Sequence, residues 1–229
     1  MRDFVVKILV QLKLYKPVIN WINRLKFEKQ SRLMHKYGLE MLNCANEAMA
    51  QCNMHPVPFF GTLLGAFRDH GFIPYDPDID LAVPDEEVCA EFHKTMTNHG
   101  FKLYKQNYLK EGDIVLEETY LYKKLHLDIY RLFRRGSDFY CLSSRIHESK
   151  DWKEANQSDG FPCVRYNVEY CSFHQEKFLG ITINMPDKTH EWLKDLFSDS
   201  YMIPIKNFDV DKVVTRKEFT PIRSYRRFF

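Results

Sequence analysis

Three aspartates in this sequence are spaced for work on a phosphate. Asp78 and Asp80 stand two apart in the run Asp78-Ile79-Asp80-Leu81-Ala82-Val83, where acidic and apolar residues alternate as they do along a strand. Both carboxylates therefore leave one face, with Cα atoms about 6–7 Å apart, a spacing at which two carboxylates bridge metal ions. An acidic row turned inward and left unpaired costs on the order of several kcal/mol, so solvent, a base or a cation must face it. Asp128, in His126-Leu127-Asp128-Ile129-Tyr130, lies on a second alternating run with Leu127 and Ile129 on the other face. It completes a three-carboxylate cradle whose hard oxygen donors suit Mg²⁺ or Mn²⁺. Upstream, Gly61-Thr62 at a strand-to-helix junction offers backbone N–H groups, a hydroxyl and a helix N-terminus to a phosphate. Each part alone has an ordinary explanation: solvated edges carry paired aspartates, Gly-Thr is a common turn, and Lys123 or Lys124 can pair with Asp128. In the order strand, Gly-Thr, helix, Asp-x-Asp strand, later Asp strand, they give the layout of metal-dependent phosphoryl transfer, where catalysis is mostly positioning and charge neutralisation.

Positioning these groups requires a framework, and the apolar periodicities supply one. Residues 37–53 repeat Leu42, Ala45, Met49 and Cys52 at helical spacing, and Pro56 ends that helix. A strand over 57–60, a short helix from Gly61 through Arg68 broken at Gly71, and the acidic strand stopped by Pro84 follow. Asp85 is suited to cap a helix running to Gly100. Strands are predicted over 101–106, 114–123 and 126–133, then loops and short strands through 134–177. A strand over 178–185 leads, through Pro186 and Asp187, into a helix carrying Trp192, Leu193, Leu196 and Phe197. With no repeat and no linker, the chain reads as one α+β domain.

Composition bounds the rest. At 229 residues, 45% hydrophobic and 28% charged, the chain is long enough for a sizeable core and is neither fibrous nor low-complexity. Its net charge of +2 conceals an uneven distribution. Residues 1–36 hold nine lysines and arginines against two acids, and residues 212–229 six against one, which leaves the body between them acidic by ten charges. A nucleic-acid reader carries its basic patch on the folded domain, so no nucleic-acid partner is expected; an anionic membrane surface suits the arm better. Lys7, Lys13 and Lys16 break the apolar run of the arm too soon for a span or a signal peptide. What remains is an amphipathic pattern, with Pro17 opening a second helix, that either packs on the body or lies at a membrane interface with Trp21 and Phe27 at headgroup depth. Six cysteines without a CxxC pair imply reduced thiols and a cytoplasmic protein, at most touching the inner face of the membrane. A zinc site from Cys141, Cys163, Cys171 and His174 fits no ligand spacing.

The run Phe59-Phe60-Gly61-Thr62-Leu63-Leu64-Gly65-Ala66-Phe67-Arg68, then Gly71-Phe72-Ile73-Pro74-Tyr75-Asp76-Pro77-Asp78-Ile79-Asp80, closely resembles the signature of the LicD/fukutin family. The His126 to Tyr130 run is similar to the family's third-carboxylate strand. Phe178-Leu179-Gly180-Ile181, Trp192-Leu193 and Tyr201-Met202-Ile203-Pro204 are similar to its C-terminal segment, so the resemblance covers about residues 37–205. Tyr75 stands where tryptophan is usual, and Pro77 where a further acid often sits.

The resemblance implies an α+β nucleotidyltransferase fold of the polymerase β type, a central mixed sheet flanked by helices, with helices at the N-terminus. Together with the charge distribution it divides the chain into a basic amphipathic helical arm (1–36), a catalytic domain (37–211) and a basic tail (212–229). It also implies a phosphotransferase that moves a phospho-alcohol, of the phosphocholine, glycerol-phosphate or ribitol-phosphate type, from a CDP-activated donor to a hydroxyl of a cell-surface or lipid-linked glycan, releasing CMP. Asp78, Asp80 and Asp128 would then be the catalytic and metal-holding residues, while Gly61, Thr62 and Arg68 would meet the donor phosphates. Tyr75, Tyr120, Tyr122 and Tyr130 are available to shape a base or choline pocket. Nucleotidyl transfer with release of pyrophosphate, or a non-enzymatic membrane-docked partner, are the competing readings.

Overall fold

Helical periodicity upstream of the acidic run is realised as one long helix. In the computed structural model, which describes residues 15–145, 152–204 and 216–229, α1 (Tyr15–Ala50) passes without a break through the expected boundary at residue 36. Pro17 sits in its first turn, where a missing N–H costs nothing. The C-terminal half buries Met34, Met41, Leu42, Ala45 and Met49, whereas Trp21, Leu25 and Phe27 stay exposed further up. The start of the expected arm, residues 1–14, lies outside the described residues. Among the described residues no helix is long and apolar enough to cross a membrane.

The sheet is mixed and large, as the alternating runs require. It contains β1 (Val57–Pro58), β2 (Asp78–Pro84), β3 (Lys102–Leu109), β4 (Ile114–Tyr122), β5 (Leu125–Arg135), β6 (Asp138–Ser144), β7 (Phe161–Glu169) and β10 (Lys217–Phe228). Their spatial order is β1-β2-β5-β4-β3-β10-β7-β6, and β6 also pairs with the far end of β5, so six of the strands close into a ring. The β2–β5 ladder is parallel and the other ladders of this sheet are antiparallel. A separate hairpin, β8 (Phe173–Phe178) and β9 (Ile181–Pro186), turns on Leu179-Gly180, both at positive φ. The short α2 (Phe60–Leu64) continues as a π turn over Gly65–Asp69. Gly65 has to be glycine there, because a Cβ would stand 2.6 Å from the Gly71 carbonyl. The helices α3 (Phe92–Asn98), α4 (Trp152–Gln157) and α5 (Thr189–Phe197) pack around the sheet, with Trp192 of α5 fully buried.

Three expectations change. The region read as loops over 134–177 contains two of the ring strands, β6 and β7. Ser143, Ser144, Arg165 and Asn167 dilute the apolar alternation that Phe139, Cys141, Val164, Tyr166 and Val168 carry into the core. The helix expected over 85–100 begins only at Phe92, after a 3₁₀ turn over Asp85–Glu87. Most consequentially, the basic tail at 212–229 is no tail where it is described: residues 217–228 form β10, seated between β3 and β7. Its cations meet the acids of the body, Arg227 with Asp113 at 2.9 Å and Arg223 with Asp159 at 3.4 Å. Just ahead of the strand, Arg216 reaches Asp138 at 2.6 Å and Asp195 at 3.0 Å.

Deleting residues 217–229 leaves β3 and β7 with unpaired inner edges. The truncated chain is expected to lose its cooperative thermal transition in calorimetry, whereas an appended tail would come off without changing the melt.

Candidate active site

The register of the parallel ladder assembles the acids. β2 lies against β5 with Asp78 beside His126 and Asp80 beside Asp128, so the third carboxylate stands next to the second. All three aspartates line one cavity of about 460 Å³. The same cavity is lined by Asp76, from the loop that leads into β2, and by Gly61 and Arg68.

The entry to α2 holds this arrangement. Phe59 N–H donates to the Asp80 carbonyl at 2.9 Å, and the Asp80 N–H donates to Thr62 Oγ1 at 2.9 Å, so the Asp80 peptide is gripped on both sides. Thr62 is buried and does not line the cavity. Its hydroxyl braces the acidic strand rather than facing a phosphate, a correction to the expectation from the sequence. At Gly61 a Cβ would run into the Asp76 carboxylate, so this glycine lets Asp76 close over α2. Arg68 does face the cavity, but its Nε and Nη2 both donate to Asp69 at 2.8 Å, and its Nη1 donates to the Tyr201 carbonyl at 3.3 Å. The bidentate edge anticipated for a phosphate is thereby occupied, and the remaining edge already carries the Tyr201 carbonyl.

Electrostatics mark the acids as held against their preference. Burial, reinforced by the neighbouring charge of Asp76, pushes Asp78 up to about 7. Burial with the charge of Glu117 pushes Asp128 up to about 7, and burial pushes Asp76 up to about 6. Asp80 lies well above the usual carboxylate range, through burial and then the charges of Asp78 and Asp128. Such mutual repulsion in a desolvated pocket calls for a cation. The donor set, carboxylates with no thiol or imidazole among them, fits a hard divalent ion. Among the described residues, however, no three or more acidic, histidine or cysteine side chains already converge on a point as a metal-ready cluster. The cysteines considered for zinc are free, and His174 Nδ1 instead pairs with Asp187 at 2.8 Å.

Sequence reasoning did not select several groups. Asp76 lies within the recognised run, and its contribution becomes visible only once Gly61 closes on it. Glu117, two residues before Thr119 on β4 and therefore on its face, is buried, bonded by Lys105 at 3.1 Å and by Asn107 Nδ2 at 2.8 Å. Thr119 in turn donates to Asp128 Oδ1. The opposite wall, Ser143, Ser144, Arg145 and Tyr166, comes from the stretch read as loops, with Arg145 donating to the Tyr166 hydroxyl at 2.6 Å. Of the four tyrosines considered, Tyr75 and Tyr130 line the cavity. Tyr120 packs among Phe92 and Phe101, and Tyr122 donates to Glu40 at 2.8 Å.

Comparison with known proteins bears on this geometry. Residues 59–188, which carry every acid of the cavity, match the family described as LicD/FKTN/FKRP, nucleotidyltransferase domain. The chain is 23% identical over 194 residues to a ribitol-5-phosphate transferase, FKTN, of Mus musculus, an alignment covering 83% of this chain and 37% of that protein. Against the Macaca fascicularis ribitol-5-phosphate transferase FKTN it is 22% identical over 184 residues, covering 79% and 36%. The chain thus spans little more than a third of the length of these curated relatives.

Carboxyl groups whose folded pKa is raised bind more protons in the folded than in the unfolded chain between pH 4 and 7, roughly, so their contribution to stability falls as pH rises through that window. In the absence of divalent ions, Asp78→Asn is therefore expected to melt higher than the wild type at pH 8, with the gap closing toward pH 5 in a differential scanning melt. A gap independent of pH would mean that the acids are not in conflict.

Proposed function

The chain belongs to the LicD/FKTN/FKRP family, and from that premise we propose that it is a metal-dependent phosphotransferase with a nucleotidyltransferase-type fold. It moves a phospho-alcohol, in the manner of ribitol phosphate, from a CDP-activated donor to a hydroxyl of a cell-surface or lipid-linked glycan and releases CMP. The carrying observation is the pairing of Asp80 with Asp128 in register, inside a cavity that Asp78 and Arg68 also line. That both relatives are ribitol-5-phosphate transferases supports a phospho-alcohol cargo.

In this reading Asp78, Asp80 and Asp128 hold Mg²⁺ or Mn²⁺, which supplies neutralisation of the donor's diphosphate charge. The acceptor hydroxyl attacks the phosphorus that carries the alcohol, an O–P bond forms, the bridging P–O bond breaks, and the electron pair leaves with CMP. Asp128 takes the hydroxyl proton, with its Oδ1 held in place by the Thr119 hydroxyl. Thr119 and Thr62 keep Asp128 and Asp80 in place. Arg68, as a positive charge, and the Gly61 backbone line the part of the cavity assigned to the donor phosphates, while Leu64, Ile73, Leu196 and Phe197 keep water from that side. The exposed Trp21, Leu25 and Phe27 of α1, in a segment rich in lysine and arginine, support peripheral contact of the arm with an anionic lipid surface.

Incubation with Mg²⁺ and CDP-ribitol, CDP-glycerol or CDP-choline, with CMP followed by chromatography, tests the reading. Turnover of one of these donors is expected, falling at least about a hundredfold in Asp80→Ala and in Asp128→Ala while both variants keep their fold. Pyrophosphate released from a nucleoside triphosphate, with no CMP from any donor, would replace it with nucleotidyl transfer.

A further inference from the structure

The face that carries Asp128 continues beyond the acids. His126, two residues earlier on β5, projects from that face and is the register partner of Asp78. A bulge in β3 between Leu103 and Lys105 turns Tyr104 onto it as well, and the Tyr104 ring lies over the His126 imidazole with centroids 5.9 Å apart and planes 14° from parallel. Phe228 of β10 meets Tyr104 edge-on at 5.3 Å, and Trp152, at the start of α4, packs on Phe228 at 4.6 Å. Tyr104 remains 37% exposed and Phe228 38%. None of the four lines the cavity that holds the carboxylates. Polar groups on the neighbouring strand positions are already engaged, Lys105 by Glu117 and Asn107 by Arg226, so what the surface offers is ring area.

A stepped aromatic shelf next to buried acids has a definite chemical complement. The C–H face of a sugar ring packs on aromatic faces while its hydroxyls stay in water or reach a neighbouring polar group. A nucleobase is held best flat on one broad open ring face or between two parallel rings. The one near-parallel pair, Tyr104 and His126, has centroids 5.9 Å apart, too close for a base to enter between them, and the planes tilt by 74° between Tyr104 and Phe228 and by 56° between Phe228 and Trp152. We infer that the shelf of Tyr104, His126, Phe228 and Trp152 binds a pyranose ring of the acceptor, presenting one hydroxyl to the carboxylates from outside the donor cavity. The inference rests on the phosphotransfer reading above.

Saturation-transfer NMR on the full chain with Mg²⁺ and CDP tests it, with methyl β-D-galactopyranoside and methyl β-D-glucopyranoside as probes and ribitol as the open-chain control. Wild-type protein is expected to saturate the ring C–H protons of at least one glycoside above ribitol. Tyr104→Ala and Trp152→Ala should each cut that signal about fivefold or more, and Tyr104→Phe should keep it, with melting temperature and CDP affinity unchanged in all three. No transfer to either glycoside in the wild type overturns the inference, as does full transfer in both alanine variants. Weakened CDP binding in Tyr104→Ala would give the shelf to the nucleotide and overturn it too. Glycoside binding by a wild type that takes up no CDP upholds the shelf and overturns the donor reading instead.

Discussion

The parallel pairing of β2 with β5 is the constraint on which the site depends. Side chains on a strand repeat every second residue, so a slip of one position would send Asp80 to the apolar face and bring Ile79 or Leu81 into the cavity. Such a slip is opposed from both sides of β2. Ile79, Leu81 and Val83 are fully buried, and Asp80 is tied through its own N–H and carbonyl to the α2 entry. The binding of like-charged groups at close range is thus sustained by apolar burial and backbone hydrogen bonds that lie outside the acids themselves. That is how a protein holds an arrangement that electrostatics alone would disperse.

Charge is distributed to the same end. The acids of the cavity sit on β2, β5 and the loop before β2, while the counter-charges belong to β3 and β10. Lys105 neutralises Glu117, and Arg226 reaches the same carboxylate indirectly through Asn107. On the other face of β4, Glu118 is enclosed with Arg131 at 2.8 Å, His93 at 2.6 Å and Gln106, and its pKa lies below the usual range despite burial, because its partners favour the ionised form. Glu118 is a buried acid matched by its partners; the aspartates of the cavity are buried against one another, which raises their pKa values. Buried acids of like chemistry in one sheet therefore serve opposite purposes.

Much of this was legible from residue types and spacing. Period-two alternation located β2 and β5, and the Asp-x-Asp pattern identified the acids, because a half-buried strand writes its two faces directly into the sequence. Gly61 was legible as a special position, though for a different reason: it accommodates Asp76 rather than a phosphate alone. The rest depends on partners far along the chain. Nothing local distinguishes Thr62 as a brace for Asp80, and nothing near Arg68 reveals that Asp69 takes its bidentate edge. The basic C-terminal segment misled because charge was weighed over periodicity. Its arginines lie on a strand whose neighbours supply Asp113, Asp159 and Asn107, so the segment is an internal complement to the acidic body.

The closing strand also has a kinetic meaning. Arg226 and Asn107, bonded across adjacent strands, are separated by 119 residues of sequence. A contact of that span is formed late, since the entropy of closing so long a loop must be met before β10 gains its two ladders. The hairpin-linked strands β3, β4 and β5 are local and quick to pair, whereas one edge of β3 gains its partner only when β10 arrives. For that interval the edge is open to strands of other copies, and the rate at which β10 arrives sets how long the chain is at risk of aggregating before its ring is complete.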